Sequence, residues 1–105
     1  MSGVQPFFSV LIVNYNAGEL LQNALNSLKK QSFRDFEVLV VDNDSQINPI
    51  ADLDVEGLPE IRVVREKANH GFAKGNNLAA QFAAGKWLAL LNPDATADAD
   101  WLSEI

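Results

Sequence analysis

The chain contains no cysteine, a single histidine and a single methionine among 105 residues. The absence of cysteine excludes disulfides, thiolate catalysis and Cys-type zinc sites. Positive charge is also scarce: 8 Lys and Arg stand against 14 Asp and Glu, for a net charge of −6. That balance argues against nucleic acid as a partner, because polyanion binding relies on clustered Lys and Arg. A small phosphate ligand remains compatible with it, since a divalent cation or a helix N-terminus can supply local positive potential. No apolar run approaches the roughly 18 residues that a membrane span needs. The opening MSGVQPFF has neither a basic region nor a long apolar stretch, so no signal peptide is expected and the chain reads as cytosolic. In that context the sequon Asn43-Asp44-Ser45 is a chance match. Internal repeats and low-complexity segments are absent too.

What is present suffices for one domain with a core: 48% hydrophobic and 21% charged residues. Phe8 to Val13 is a β-branched and aromatic run suited to a strand buried on both faces. Asn14-Tyr15-Asn16-Ala17-Gly18 breaks it with turn formers. Leu20, Leu21, Ala24, Leu25 and Leu28 then recur at helical spacing, with Lys29 and Lys30 near the helix end. Phe36 to Val41 predicts a second strand and Ile61 to Val64 a short third one, separated by an irregular, acidic stretch. A loop holding Asn69-His70-Gly71 leads to an alanine-rich helix over roughly Phe72 to Ala84, with Gly85 placed to end it as a C′ glycine. Trp87 to Leu91 predicts the fourth strand. From Asp98 to Ile105 the pattern starts like another helix, with acids in its first turn.

Strands alternating with helices predict an α/β fold, Rossmann-like, with a mostly parallel sheet and helices on both faces. Ligands of such sheets bind outside the carboxyl ends of the strands. That rule gathers Asn14-Tyr15-Asn16, Asp42-Asn43-Asp44-Ser45 and Asn92-Pro93-Asp94 on one rim. Three α/β readings fail on motif grounds. The turn Asn14 to Glu19 holds only Gly18, short of the G-x-G-x-x-G that closes on a dinucleotide. Gly85-Lys86 precedes a strand rather than opening a helix, so it is no Walker loop. A phosphorelay receiver wants paired acids after its first strand, where this chain has Asn14 and Asn16.

The stretches SVLIVNYN (Ser9 to Asn16), EVLVVDNDS (Glu37 to Ser45), NHGFAKGNN (Asn69 to Asn77) and AAGKWLALLNPDA (Ala83 to Ala95) resemble, in order and spacing, the nucleotide-binding half of the family 2 glycosyltransferases, which have the GT-A fold. The Asn-Pro-Asp form is most similar to bacterial rhamnosyltransferase-type members. The resemblance covers nearly the whole chain and implies a nucleotide-sugar (donor) binding part over residues 1–105.

By this resemblance, Val13, Tyr15, Asp42 and Asn43 would bind the nucleoside. An aromatic ring suits stacking on a pyrimidine, and a carboxylate suits an imide N–H or hydroxyls. Gly71, Lys74 and Asn77 would face the diphosphate at the start of the second helix, with Asn76 where many relatives have arginine. Asn92 and Asp94 match the family's D-x-D metal motif and would hold Mg2+ or Mn2+, although Asn-Pro-Asp is also a strong turn signal. Asp44 and His70 have no assigned role. The implied reaction is inverting transfer of a sugar from a UDP- or dTDP-sugar to a glycan or lipid-linked acceptor, in polysaccharide synthesis. Its place would be the cytoplasm or the inner face of the membrane. The family's general base lies downstream of the metal motif and is expected beyond residue 105, so the isolated chain is expected to be inactive and prone to self-association. A non-catalytic nucleotide-binding or assembly module of the same fold is the alternative; a nucleotidyltransferase lacks its glycine-rich, basic loop here.

Overall fold

The computed structural model of the chain describes residues 5–45, 53–67 and 71–105, the side chain of Phe72 excepted. Two strands, β1 (Phe8–Asn14) and β2 (Phe36–Asn43), are buried along their whole length, as near-continuous apolar runs require. They pair in parallel, Phe8 opposite Phe36 through to Asn14 opposite Asp42. Strand β3 (Ile61–Glu66) flanks β2, and β4 (Trp87–Leu90) flanks β1. The sheet order is β3-β2-β1-β4, all parallel. Three helices complete the described fold: α1 (Glu19–Lys29), α2 (Phe72–Phe82) and the short α3 (Trp101–Glu104).

Alternation along the strands divides the core between the two faces. Phe8, Val10 and Ile12, with Phe36, Val38, Val40 and Ala89, meet Leu21, Leu25 and Leu28 of α1 and Leu102 of α3. On the other face Leu11, Leu39 and Val41 meet Ala79 of α2. The three α1 leucines are fully buried, each contributing about 1.5–3 kcal/mol. The expected α/β architecture with helices on both faces is therefore present.

Four local expectations need correction. Helix α2 stops at Phe82, and Ala83 is extended with ψ 131°. Gly85 does not cap it. Its hydrogen atom faces the sheet instead, because a Cβ there would sit 2.5 Å from the Ser9 backbone nitrogen. Leu20 leaves the apolar stripe and is 47% exposed. Asn14 and Asp42-Asn43 belong to their strands rather than to the loops after them. The last helix begins at Trp101, and Asp98 and Asp100 shape the turn before it, where the Asp98 carboxylate accepts the Asp100 N–H. His70, Asn69 and the stretch 46–52 lie outside the described residues.

A polar latch closes the amino end of the sheet. Glu37 is 1% exposed. Its carboxylate accepts hydrogen bonds from Ser9 Oγ, from the Ala84 N–H at 2.7 Å and from Arg62 at 2.9 Å. Gly85 donates its N–H to Ser9 Oγ at 2.8 Å. One carboxylate thus joins three strands to the connection that delivers β4. Burial alone would raise the Glu37 carboxyl; the Ser9, Ala84 and Arg62 hydrogen bonds and the Arg62 charge together hold it below 4.5, its ordinary value.

Glu37→Gln sets an amide N–H against at least one of these donors. A loss of about 3 kcal/mol is expected in urea unfolding, the low end for breaking a buried pair, because Arg62 keeps access to water. A carboxyl lowered by folding stabilises above its unfolded value and loses that stabilisation as pH falls through the lower, folded value. The gap between wild type and variant should therefore be full at neutral pH and shrink below pH 4.5.

Candidate functional site

Because all four strands run the same way, their carboxyl ends share one rim. A cleft of about 490 Å3 opens there, lined by Val13, Tyr15, Ala17, Leu20, Asn43, Gly71, Asn92, Pro93 and Asp94. Tyr15 follows β1 and is 45% exposed, its ring available to a ligand. Val13 and Asn43 come from the ends of β1 and β2 on the α2 face. Gly71, with φ 82°, ends the loop at the amino end of α2. Asn92-Pro93-Asp94 forms a turn closed by the Ala95 N–H on the Asn92 carbonyl at 3.0 Å. Proline presets the backbone of the second turn position. The turn is held on both sides, by β4 before it and by the 97–102 segment after it. There the Ala97 N–H donates to Ser27 Oγ at 2.9 Å and the Leu102 N–H to the buried Gln31 side chain at 3.0 Å.

Below the cleft lies a second buried network. The Asp42 carboxylate accepts from Asn14 Nδ2 at 2.9 Å and from the Ser45 hydroxyl at 2.6 Å on one oxygen. Its other oxygen accepts from the Ser45 N–H and from Arg65 Nε, both at 3.2 Å. Arg65 also reaches the Ser45 carbonyl at 2.8 Å, and the Asn16 N–H donates to Ser45 Oγ at 2.9 Å. This knot joins the ends of β1, β2 and β3 and ties the loop that carries Tyr15 to the end of β2, where Asn43 stands. Asn43 is held from the other side: its Nδ2 donates to the Gly71 carbonyl at 3.1 Å. The Oδ1 atoms of Asn14 and Asn43 are buried with no hydrogen-bond partner among the described residues.

Of the residues expected at a binding site, the structure brings Val13, Tyr15, Asn43, Gly71, Asn92 and Asp94 onto one cleft. Asp42 lies beneath it, fully buried and engaged by four donors. Lys74 and Asn77 are exposed on α2 and do not line the cleft. Asp44 is exposed, with φ 61°. Sequence reading missed Ser45 and Arg65, whose roles depend on the β2–β3 register that sets Asp42 opposite Arg65. It also missed Gly75, where a Cβ would lie 2.6 Å from Val13 Cγ1 and 2.9 Å from Asn43 Nδ2. The second glycine of Gly71-x-x-x-Gly75 was the available signal: it lies one turn into the helix, where glycine is unfavourable without a close approach.

For a divalent cation, the Asn92-Pro93-Asp94 turn offers one carboxylate, Asp94, and one amide oxygen, Asn92, on two exposed residues that line the cleft. Among the described residues no three His, Cys, Asp or Glu side chains converge to hold a metal unaided. The donor set fits a hard cation that takes one or two protein oxygens and completes its shell with water and ligand phosphates.

A parallel α/β sheet with its cleft at the strand ends defines a small-ligand-binding class. The sequence assigns it further: the chain belongs to Glycosyl transferase family 2, whose family model matches residues 9–105. It is 32% identical over 106 residues to the glycosyltransferase AglE of Haloferax volcanii, spanning 97% of this chain and 35% of that protein. It is 29% identical over 103 residues to a PGL/p-HBAD biosynthesis glycosyltransferase of Mycobacterium bovis, spanning 95% of this chain and 40% of that one. Across these relatives and an uncharacterized glycosyltransferase of Haemophilus influenzae, the chain spans 32–40% of their length. The fold matches solved GT-A glycosyltransferases. S. aureus TarS 1-349 in complex with UDP-GlcNAc superposes with a TM-score of 0.83 at 30% identity, over 93% of this chain and 29% of that one. A Pyrobaculum calidifontis mannosyltransferase in complex with GDP-Man and Mn2+ gives 0.73 at 26% identity, over 89% and 29%.

Gly75→Ala should push α2 away from Val13 and Asn43. The expected cost is about 1–3 kcal/mol, as for overpacking a filled core. In 1H–15N spectra the Asn43 side-chain amide and the Gly71 to Ala73 backbone signals should shift most. Unchanged stability and spectra would contradict the close approach.

Proposed function

We propose that this chain is the donor-binding part of an inverting glycosyltransferase that uses a UDP- or dTDP-activated sugar and a divalent cation. The observation that carries it is convergence: residues from four separate stretches, Tyr15, Asn43, Gly71 and the Asn92-Asp94 turn, line one cleft. Tyr15 would stack on the base, and Asn43, buried against Gly71, would offer its Oδ1 to an imide N–H. The amino end of α2 at Gly71 would face the diphosphate, where free backbone N–H groups and the helix dipole favour anions. Asp94 and Asn92 would hold Mg2+ or Mn2+. When bound, the cation supplies positive charge opposite the departing nucleoside diphosphate.

Asp42 enters this reading as the organiser of the knot beneath the cleft rather than as a contact to the base, because both of its oxygens are already engaged. No base for the acceptor hydroxyl is assigned within these residues: Asp98 and Asp100 serve the turn before α3. The reading gives the proton-accepting group and the acceptor site to sequence outside these 105 residues, in keeping with the 32–40% of relatives' length matched. The chain by itself would then bind donor without transferring sugar. Solved relatives in complex with UDP, UDP-GlcNAc and GDP-Man support a nucleotide-sugar ligand. The Asn-Pro-Asp turn motivates a deoxyhexose such as rhamnose as the sugar. The acceptor would be a glycan or lipid-linked glycan, met in the cytoplasm at the inner membrane face; no described helix is long and apolar enough to cross a membrane.

Calorimetric titration with UDP and dTDP, each with and without Mn2+, tests this. Binding of one of them should strengthen with Mn2+, and Asp94→Ala should remove that gain, a loss on the order of tenfold or about 1.4 kcal/mol. Binding that is indifferent to Mn2+ and to Asp94→Ala would overturn the metal role. No binding by a chain with the expected circular dichroism would overturn the donor site.

A further inference from the structure

Two parts of the cleft meet in one side chain. Asn43 ends β2 at the cleft floor and is 1% exposed. Its Nδ2 donates to the Gly71 carbonyl at 3.1 Å. The same carbonyl accepts the Gly75 N–H at 3.0 Å and so closes the first turn of α2. The Asn43 Oδ1 is buried with no partner among the described residues. Asn14 shares that condition but does not line the cleft. Nothing separates Asn43 from the helix: a Cβ on Gly75 would lie 2.9 Å from Asn43 Nδ2 and 2.6 Å from Val13 Cγ1. Lys74 and Asn77 are exposed on α2 and stay out of the cleft lining. The helix therefore meets the cleft through its backbone at Gly71, and the orientation of that backbone decides what it can hold.

We infer that Asn43 is a positioning residue that couples the two parts of a nucleoside diphosphate: a base engaging its Oδ1 sets the amino end of α2 for the diphosphate. The inference rests on the donor-binding reading above and adds the link between its two contacts. A carboxamide is planar, so its oxygen and nitrogen cannot turn independently. A base N–H held by Oδ1 therefore fixes the plane that keeps Nδ2 on the Gly71 carbonyl. Accepting a hydrogen bond at the oxygen also polarises the amide and strengthens the bond its N–H donates. The first N–H groups of a helix have no intrahelical acceptors, and their direction follows the Gly71 peptide that Asn43 holds. Gly71, at φ 82°, brings no side chain of its own to fix that peptide. Both parts of the ligand need the carboxamide ordered, and that ordering is met once, which makes their binding cooperative. A carboxylate at this position would set oxygen against the Gly71 carbonyl oxygen, so the link requires the amide nitrogen.

The coupling is measured by splitting the ligand. The 15N-labelled chain is titrated with a nucleoside, uridine or thymidine, and with inorganic pyrophosphate, each alone and each with the other saturating, in Mg2+. Saturating nucleoside should tighten pyrophosphate by about fivefold or more, and pyrophosphate should tighten nucleoside by the same factor, since linkage is reciprocal. The nucleoside alone, which carries no phosphate, should shift the Gly71 to Lys74 backbone signals together with the Asn43 side-chain amide. In Asn43→Ala the two fragments should bind independently, a loss of coupling that a merely weakened site would not produce. Fragments that both bind the wild type but ignore one another would overturn the inference and leave the donor reading standing. Coupling that survives in Asn43→Ala would overturn it too. So would a wild-type Asn43 side-chain signal that moves with neither fragment, a result that depends on no variant. A folded chain that binds neither fragment would overturn the donor reading and this inference with it.

Discussion

Parallel pairing of β1 with β2 is the constraint on which the rest of this molecule depends. Seven consecutive pairs, Phe8 with Phe36 through Asn14 with Asp42, run in one direction and are buried on both faces. A parallel sheet cannot close by short hairpins, so each return must cross a face, and α1 and α2 do so on opposite sides. The consequence is polarity: every strand begins at one pole and ends at the other. The cleft-lining residues then collect at the carboxyl pole because that is where the chain leaves the sheet for its loops.

The two poles are built differently. At the amino pole Glu37 gathers Ser9, Arg62 and the Ala84 N–H into a latch with every Glu37 oxygen engaged. At the carboxyl pole the Asp42 knot is equally well satisfied below, yet the buried amide oxygens of Asn14 and Asn43 above it have no partner among the described residues. Leaving a buried polar atom unpaired costs on the order of 1–3 kcal/mol. These two atoms lie at the pole that carries the cleft, and Asn43 also lines it. Asp42, Ser45 and Arg65 engage one another there, while Tyr15, Asn43 and the Asn92-Asp94 turn line the cleft.

Much of this was legible in sequence, for physical reasons that differ by element. The buried strands announced themselves through unbroken apolar runs, and α1 through the spacing of Leu21, Leu25 and Leu28. Leu20 misled because it flanks that stripe in the first turn, where the helix stands over the cleft instead of the sheet. Gly85 read as a helix stop, but its need is steric and arises from Ser9, 76 residues away in sequence. The same distance effect hid the fate of Asp42. Its position after an apolar run signals a rim carboxylate, whereas its burial depends on Arg65 arriving from β3, a pairing no local pattern encodes. Asp94 carried two readings, turn former and metal ligand, and the structure shows that the turn is real and that it presents the carboxylate to the cleft.

The most direct test is to locate Mn2+ on the 15N-labelled chain in the presence of UDP or dTDP, by the paramagnetic broadening of amide signals. The account predicts broadening centred on residues 92–95 and reaching Tyr15 and Asn43, while Ser9, Glu37, Arg62 and Gly85 at the far pole stay sharp. Broadening that is uniform, or centred on any other carboxylate, would contradict the claim that this rim is the donor site.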